Sequence, residues 1–226
     1  MANHLDLEEQ EQIDQLKHFW NTWGTLITFV ILMIFASFTA WNGYNFWKNR
    51  ESLQATALLD AVEDAGKLRD QVRLEQAFAD IRTKHASTIQ AGQAGLFVAK
   101  FEMEKNNLDS AQSALEWVAA HASDGGYKAL AQLRLVSIFI EKKSYDKALN
   151  QLSYKFPVDF NLIAADRKAD ILFLQNKKQE AIIEYNSSYG ISNVGTDYNN
   201  LIEVKLSRLG AKPLVAVGLT TEREIK

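Results

Sequence analysis

Lys142-Lys143-Ser144-Tyr145-Asp146-Lys147-Ala148-Leu149-Asn150-Gln151-Leu152 follows a polar, turn-prone junction with a small residue, Ala148, and a bulky one, Leu152, a helical turn later. The arrangement stands upstream as Lys105-Asn106-Asn107, then Leu108-Asp109-Ser110-Ala111 and Leu115. It stands again downstream as Gln175-Asn176-Lys177, then Lys178-Gln179-Glu180-Ala181 and Tyr185. The three alanines are 37 and 33 residues apart. Twelve residues before each comes Ala99, Val136 or Ala169, on the preceding apolar-periodic segment. A small side chain lets two helix backbones approach, and the bulky neighbour fills the adjacent gap.

A period near 34 residues, built as helix–turn–helix with small residues at the contact, is the tetratricopeptide pattern. One such pair cannot bury its apolar stripe alone, so pairs stack into a solenoid. The links between pairs carry Asp124-Gly125-Gly126 and Phe156-Pro157. The usual Trp, Gly and terminal Pro positions mostly hold other residues, so a helical bundle with coincident alanine spacing is the competing architecture.

Working outward, Glu51–Asp70 (Leu53, Ala57, Leu58, Ala61, Val62) and Leu74–His85 (Leu74, Ala77, Phe78, Ile81) show helical spacing. Thr196–Leu209, with Leu201, Ile202, Val204, Leu206 and Leu209, reads as a capping helix whose polar face closes the stack. The fold class is therefore all-α: a tetratricopeptide-like domain over residues 48–210, then a tail over 211–226. The tail is either loose or laid into a groove. Groove-lining candidates for protein binding are Phe97, Phe101 and Tyr145.

The amino end is of another kind. From Phe19 to Trp47 there is no Asp, Glu, Lys, Arg or His. Trp20 and Trp23 flank the apolar centre on one side, Trp41, Tyr44 and Trp47 on the other, as interfacial rings do. Trp20 to Trp41 spans roughly 32 Å at helical rise, close to a hydrocarbon thickness of about 30 Å. The hydroxyls of Thr25, Thr28, Ser37 and Thr39 can bond carbonyls of their own helix. A cleaved signal would start basic and end at small residues; this start, residues 1–18, is acidic (Asp6, Glu8, Glu9, Glu11, Asp14) and the exit is aromatic. Residues 19–47 read as one transmembrane helix in contact with lipid. Lys17 lies before the span and Lys48 and Arg50 after it, a margin too narrow for the positive-inside rule to fix orientation.

The 226 residues contain no cysteine, which excludes disulfides, thiolate catalysis and cysteine-ligated zinc. A net charge of -3 gives no electrostatic footprint for nucleic acid. His4, His18, His85 and His121 lack metal-ligand spacing and read as surface residues. Glu102/Glu104 and Asp166/Asp170 read as solvated faces, not acid–base pairs. Ala91-Gly92-Gln93-Ala94-Gly95 lacks the Lys-Ser/Thr ending of a phosphate loop. Asn186-Ser187-Ser188 is a bare glycosylation match. No cofactor, metal site or catalytic residue is expected, and the chain reads as a non-enzyme. A stacked helix-pair domain tethered to a bilayer suits a binding module.

The acidic start, Lys17-His18-Phe19-Trp20, Trp41…Tyr44…Phe46-Trp47, Gly95-Leu96-Phe97-Val98-Ala99 and Leu162-Ile163-Ala164-Ala165-Asp166-Arg167, in that order and spacing, resemble the YfgM-type ancillary subunits of the bacterial Sec translocon. The resemblance runs over nearly the whole chain; the tail after Ala211 is longer than the family pattern. It implies an inner-membrane protein with a cytoplasmic N-terminus and a periplasmic repeat domain. The implied partners are the SecYEG channel, a PpiD-like membrane chaperone and newly exported polypeptides, in an adaptor or chaperone role. The alternative is a structural scaffold for another envelope complex.

Overall fold

The computed structural model describes residues 7–191 and 196–214. They form α1 (Leu7–Lys67), α2 (Gln71–Lys84), α3 (Ile89–Glu104), α4 (Leu108–His121), α5 (Gly125–Glu141), α6 (Tyr145–Gln151), a 3-10 turn (Val158–Phe160), α7 (Asn161–Leu174), α8 (Lys178–Ile191) and α9 (Thr196–Arg208). No strand occurs among the described residues. The chain divides into two units, Met1–Leu53 and Gln54–Lys226.

In the first unit, Leu26, Phe29, Leu32, Ile34, Phe35 and Phe38 are all more than half exposed. The most apolar 18-residue stretch of this helix is only 6% buried. A core helix of a water-soluble domain would hide these side chains, so length, composition and exposure together fit a membrane anchor. Its polar groups are satisfied within the helix: Thr28 Oγ1 donates to Gly24 O at 2.7 Å, Ser37 Oγ to Met33 O at 2.8 Å and Thr39 Oγ1 to Phe35 O at 2.8 Å. Trp20, Trp23, Trp41, Tyr44 and Trp47 are each between 51% and 66% exposed.

In the second unit the helices pair as hairpins: the end of α1 with α2, α3 with α4, α5 with α6, α7 with α8. Each hairpin turns on a residue in the left-handed region: Arg69 (φ 56), Asn106 (φ 60), Lys143 (φ 55) and Asn176 (φ 62). Beyond it, a six-to-one bond closes the turn: Asp70 N to Ala65 O, Asn107 N to Glu102 O, Ser144 N to Phe139 O and Lys177 N to Leu172 O, at 2.7 to 2.9 Å. These bonds satisfy carbonyls that a helix end otherwise leaves orphaned. The three polar junctions seen in the sequence are therefore one repeated device, and Leu68-Arg69-Asp70 is a fourth copy.

Ala99, Ala111, Leu115, Val136, Ala148, Ala169 and Ala181 have no exposed surface, Tyr185 has 3%, and Leu152 is half-buried against the core. The closeness of the approach is measured at Gly95, where an added Cβ would lie 2.3 Å from Val118 Cγ2 on α4. One apolar cluster runs from the end of α1 to Ile171 of α7, a second joins α7, α8 and α9, and Ala129, Leu133 and Phe156 form a third beside Tyr154 and Phe160. Tyr154 and Phe156 meet edge to face at 5.1 Å. Residues 215–226, most of the tail set apart in the sequence, lie outside the described residues.

Candidate protein-binding surface

The first helix of each pair is held by its partner and by the neighbouring tiers, and α3, α5 and α7 each keep one stripe that is only partly covered. Helical spacing puts Gln93, Phe97, Lys100 and Glu104 on that stripe of α3. Leu130, Arg134, Ser137 and Glu141 follow on α5, and Ile163, Arg167 and Leu174 on α7. Lys100, Glu104, Glu141 and Leu174 are exposed and the other positions half-buried.

The stripe is stitched across tiers by polar side chains. Gln93 Nε2 donates to Tyr127 Oη at 2.8 Å, and Arg134 Nη1 to the Leu96 carbonyl at 3.2 Å. Burial pulls the Arg134 guanidinium below its ordinary range. Arg167 lies 3.5 Å from Asp170, and Lys100 3.8 Å from Glu104. A face that mixes guanidinium, carboxylate, amide and short apolar patches offers hydrogen bonds along an extended chain with little demand for one sequence.

The sequence-derived groove residues sit elsewhere or deeper. Phe97 is on the stripe, but its ring folds over Gly66, where a Cβ would lie 2.5 Å from Phe97 Cε1. Phe101 is 8% exposed, packed in the core with the Lys105 ammonium 5.1 Å from its ring centroid. Tyr145 begins α6, the second helix of its pair, and packs half-buried on the core. Phe101 is thus corrected from groove lining to core packing. Its aromatic character reflects apolar burial, which spacing alone does not separate from an open groove.

The carboxylate pairs are corrected too. Glu102 is 1% exposed; its Oε1 accepts from Gln71 Nε2 at 2.7 Å and its Oε2 from Asn107 Nδ2 at 2.8 Å, so it ties α2 to the α3–α4 turn. Asp166 is 3% exposed and Asp170 half-buried, and Lys205 of α9 bridges them at 2.6 and 2.8 Å. Tyr198 donates to Asp166 at 3.0 Å and Tyr185 to Asp170 at 2.6 Å. Burial, then the adjacent carboxylates, push both phenols well above their ordinary value. Every charge in this network has an opposite charge or a donor, which is why it can be buried at all. It fastens α9 onto α7 and α8.

His18 and His121 are exposed; His121 stacks on Trp117 with ring centroids 5.3 Å apart. His85 is half-buried, a correction to its reading as a surface group, and His4 lies outside the described residues. No cluster of three or more potential metal ligands occurs among the described residues. In the sequon, Ser188 is fully buried and donates to Leu162 O, while Asn186 uses its amide on Ile182 O and Leu214 N.

The family model described as tetratricopeptide repeat-like domain matches residues 17–211, which takes in both the apolar helix and the helix pairs. The chain is also 30% identical over 171 residues to a protein of Neisseria gonorrhoeae (strain ATCC 700825 / FA 1090) named ancillary SecYEG translocon subunit. The match covers 74% of this chain and 82% of the relative.

Proposed function

Because this chain belongs to the tetratricopeptide repeat-like family of ancillary SecYEG translocon subunits, we propose that it is a non-enzymatic, membrane-anchored adaptor and chaperone at the Sec translocon. The α3–α5–α7 stripe binds newly exported chains as they leave the SecYEG channel, and a PpiD-like membrane chaperone is a further partner. The N-terminus is cytoplasmic and the helix-pair domain periplasmic. The supporting observation is the union, in one chain, of a lipid-suited apolar helix and a helix-pair stack with a partly exposed, mixed-polarity stripe. Tethering helps because it holds a weak binding face at high effective concentration beside its source of clients.

Photo-crosslinkers at Gln93, Leu130 and Arg134 in intact membranes test the reading. Adducts with SecYEG subunits or nascent exported chains are expected. Capture of neither, while the protein is folded and in the membrane, refutes it. Protease added to spheroplasts tests the topology: the domain is digested if periplasmic and protected if cytoplasmic.

A further inference from the structure

The four hairpin turns fix a common register, and that register exposes a difference between the first tier and the next two. Counting back from Arg69, Asn106 and Lys143, the same place is held by Ala57, Ala94 and Ala131, and four residues later by Ala61, Val98 and Leu135. In the second and third tiers these positions are closed: Ala94 and Ala131 have no exposed surface, Val98 has 5% and Leu135 1%. The second helix of the tier before packs against each of these first helices, α2 on α3 and α4 on α5. The Phe78 ring of α2 stands 3.4 Å from a Cβ built on Gly95, the residue after Ala94. In the first tier Ala57 and Ala61 are exposed.

The residue just before each turn makes the contrast chemical. Lys105 reaches back to Gln71 of α2 at 2.6 Å, and Lys142 to Asp109 and Gln112 of α4, both at 2.7 Å. The first tier has Leu68 there, 71% exposed, with Val72 beside it at 74%. Between the end of α1 and α2 lies a cavity of ≈ 340 Å³ with an apolar lining of Leu58, Ala61, Ala65, Leu68 and Ala77, to which Asp64, Arg73, Gln76 and Asp80 add polar groups. A lysine in this register suits a polar helix already in place; a leucine suits an apolar side chain that has yet to arrive.

We propose that this edge of the stack docks an amphipathic α-helix of a partner membrane protein, seated where the second helix of a preceding tier would lie, with one apolar side chain in the cavity. An α-helix is the occupant because an α-helix covers both equivalent faces within this same fold. A membrane protein is the source because Ala57 comes only ten positions after Trp47. Even fully extended, they reach no more than about 36 Å from the interfacial ring. A protein anchored in the same bilayer is the kind of partner that such a tether keeps at high effective concentration.

The cysteine-free sequence makes the test direct. Single variants Ala57→Cys, Ala61→Cys and Leu68→Cys, with Ile183→Cys on exposed α8 as control, are alkylated by a maleimide in native membrane vesicles and in dilute proteoliposomes of the purified full chain. Alkylation at the three edge positions is expected to be severalfold slower in native membranes, with the control unchanged. Crosslinks from the three positions should land on one partner segment at sites stepping by three or four residues. Equal rates in both preparations overturn the proposal. Protection that persists with the protein alone also overturns it, since a second copy or the chain's own tail then covers the edge. Crosslink sites that step by two, or scatter, mean an extended client and overturn it as well. Ala61→Arg, at an exposed position, should melt as the parent does and lose the crosslinks; their retention counts against the site. Gln93, Leu130 and Arg134 lie on a different face, so this edge and the proposed client stripe fail or stand separately.

Discussion

Gly95→Ala sets two well-measured effects against each other with opposite signs. Gly95 lies inside α3, where replacing glycine by alanine ordinarily stabilises a helix by about 0.8–1.0 kcal/mol. Its Cβ, however, would meet Val118 Cγ2 at 2.3 Å and Phe78 Cε2 at 3.4 Å. Two carbons settle near 3.5–4.0 Å, so Val118 must move by more than about 1 Å. Val118 has no exposed surface and a fixed place between α3 and α4, so the strain falls on the helix pair. Overpacking of this kind costs about 1–3 kcal/mol. The clash therefore wins or nearly cancels the propensity gain, and the net change ranges from neutral to about 2 kcal/mol destabilising. In a unit of this size each kcal/mol moves Tm by roughly 2–4 °C. Val118→Ala alone should cost about 2 kcal/mol for lost burial and the cavity left behind. Combined, the alanine at 95 occupies the space vacated at 118, so the double variant should be more stable than the sum of the singles by about 1–3 kcal/mol. Thermal melts of the four proteins in mild detergent, followed by circular dichroism, complete the cycle. A Gly95→Ala variant that gains the full propensity increment, with strict additivity in the double, would refute the close α3–α4 approach.

Lys205→Met removes the cation between Asp166 and Asp170 and leaves a buried carboxylate uncompensated, at a cost of about 3–5 kcal/mol; denaturant melts should show this loss, and little change would mean that α9 is not held by the network. Alkaline pH should weaken the same tier. Tyr185 and Tyr198 are raised above their ordinary 10.0 by burial and by Asp170 and Asp166, so the unfolded chain releases their protons first. Their contribution is complete below that value and falls as pH climbs past it, which Tm measured from pH 8 to 11 reads directly. At Lys143, held at φ 55, a β-branched residue is strained where glycine is not, so Lys143→Ile should lose about 1–2 kcal/mol and Lys143→Gly should lose none; equal effects of the two would argue against the left-handed turn.

The second to fourth tiers were legible because their contacts are local. Ala111, Ala148 and Ala181 each follow a polar junction at a fixed distance, and a hairpin places that residue against its own partner helix. The first tier obeys the same geometry with a different side chain. Its equivalent residue, five past Arg69, is Leu74, fully buried, so a search keyed on alanine passes over it. Its first helix also runs on from the apolar span, which hides the start of the domain. The anchor was legible from composition alone, because no globular core needs so long an uncharged run. The site was less legible. Asp166 and Asp170 look solvated beside their own helix's Arg167 and Lys168, since Lys205 is more than thirty residues away in the chain. Phe101 looks like a groove residue in the sequence because helical periodicity reports apolar faces without saying whether a neighbour covers them.

The two ends of the stack are finished differently, and that asymmetry bears on function. A solenoid in water needs a polar outer face at each end. At the carboxyl end α9 supplies a mainly polar one: Asn200, Glu203, Ser207 and Arg208 are exposed around Leu201 and Val204, while Ile202 and Leu206 are fully buried. At the amino end Ala57, Ala61, Leu68 and Val72 are open instead. Fully covering one leucine contributes about 1.5–3 kcal/mol, so leaving Leu68 and Val72 bare forgoes a sum comparable to a large share of a domain's net stability. Simple lack of a cap would explain the alanines, which also tolerate water. It does not explain the leucine, because this register in the next two tiers carries a lysine that would serve an exposed end at no such loss. The unfinished end is the one joined to the anchor by the shortest chain, ten positions from Trp47 to Ala57, which is why the proposed occupant is a helix of a membrane protein.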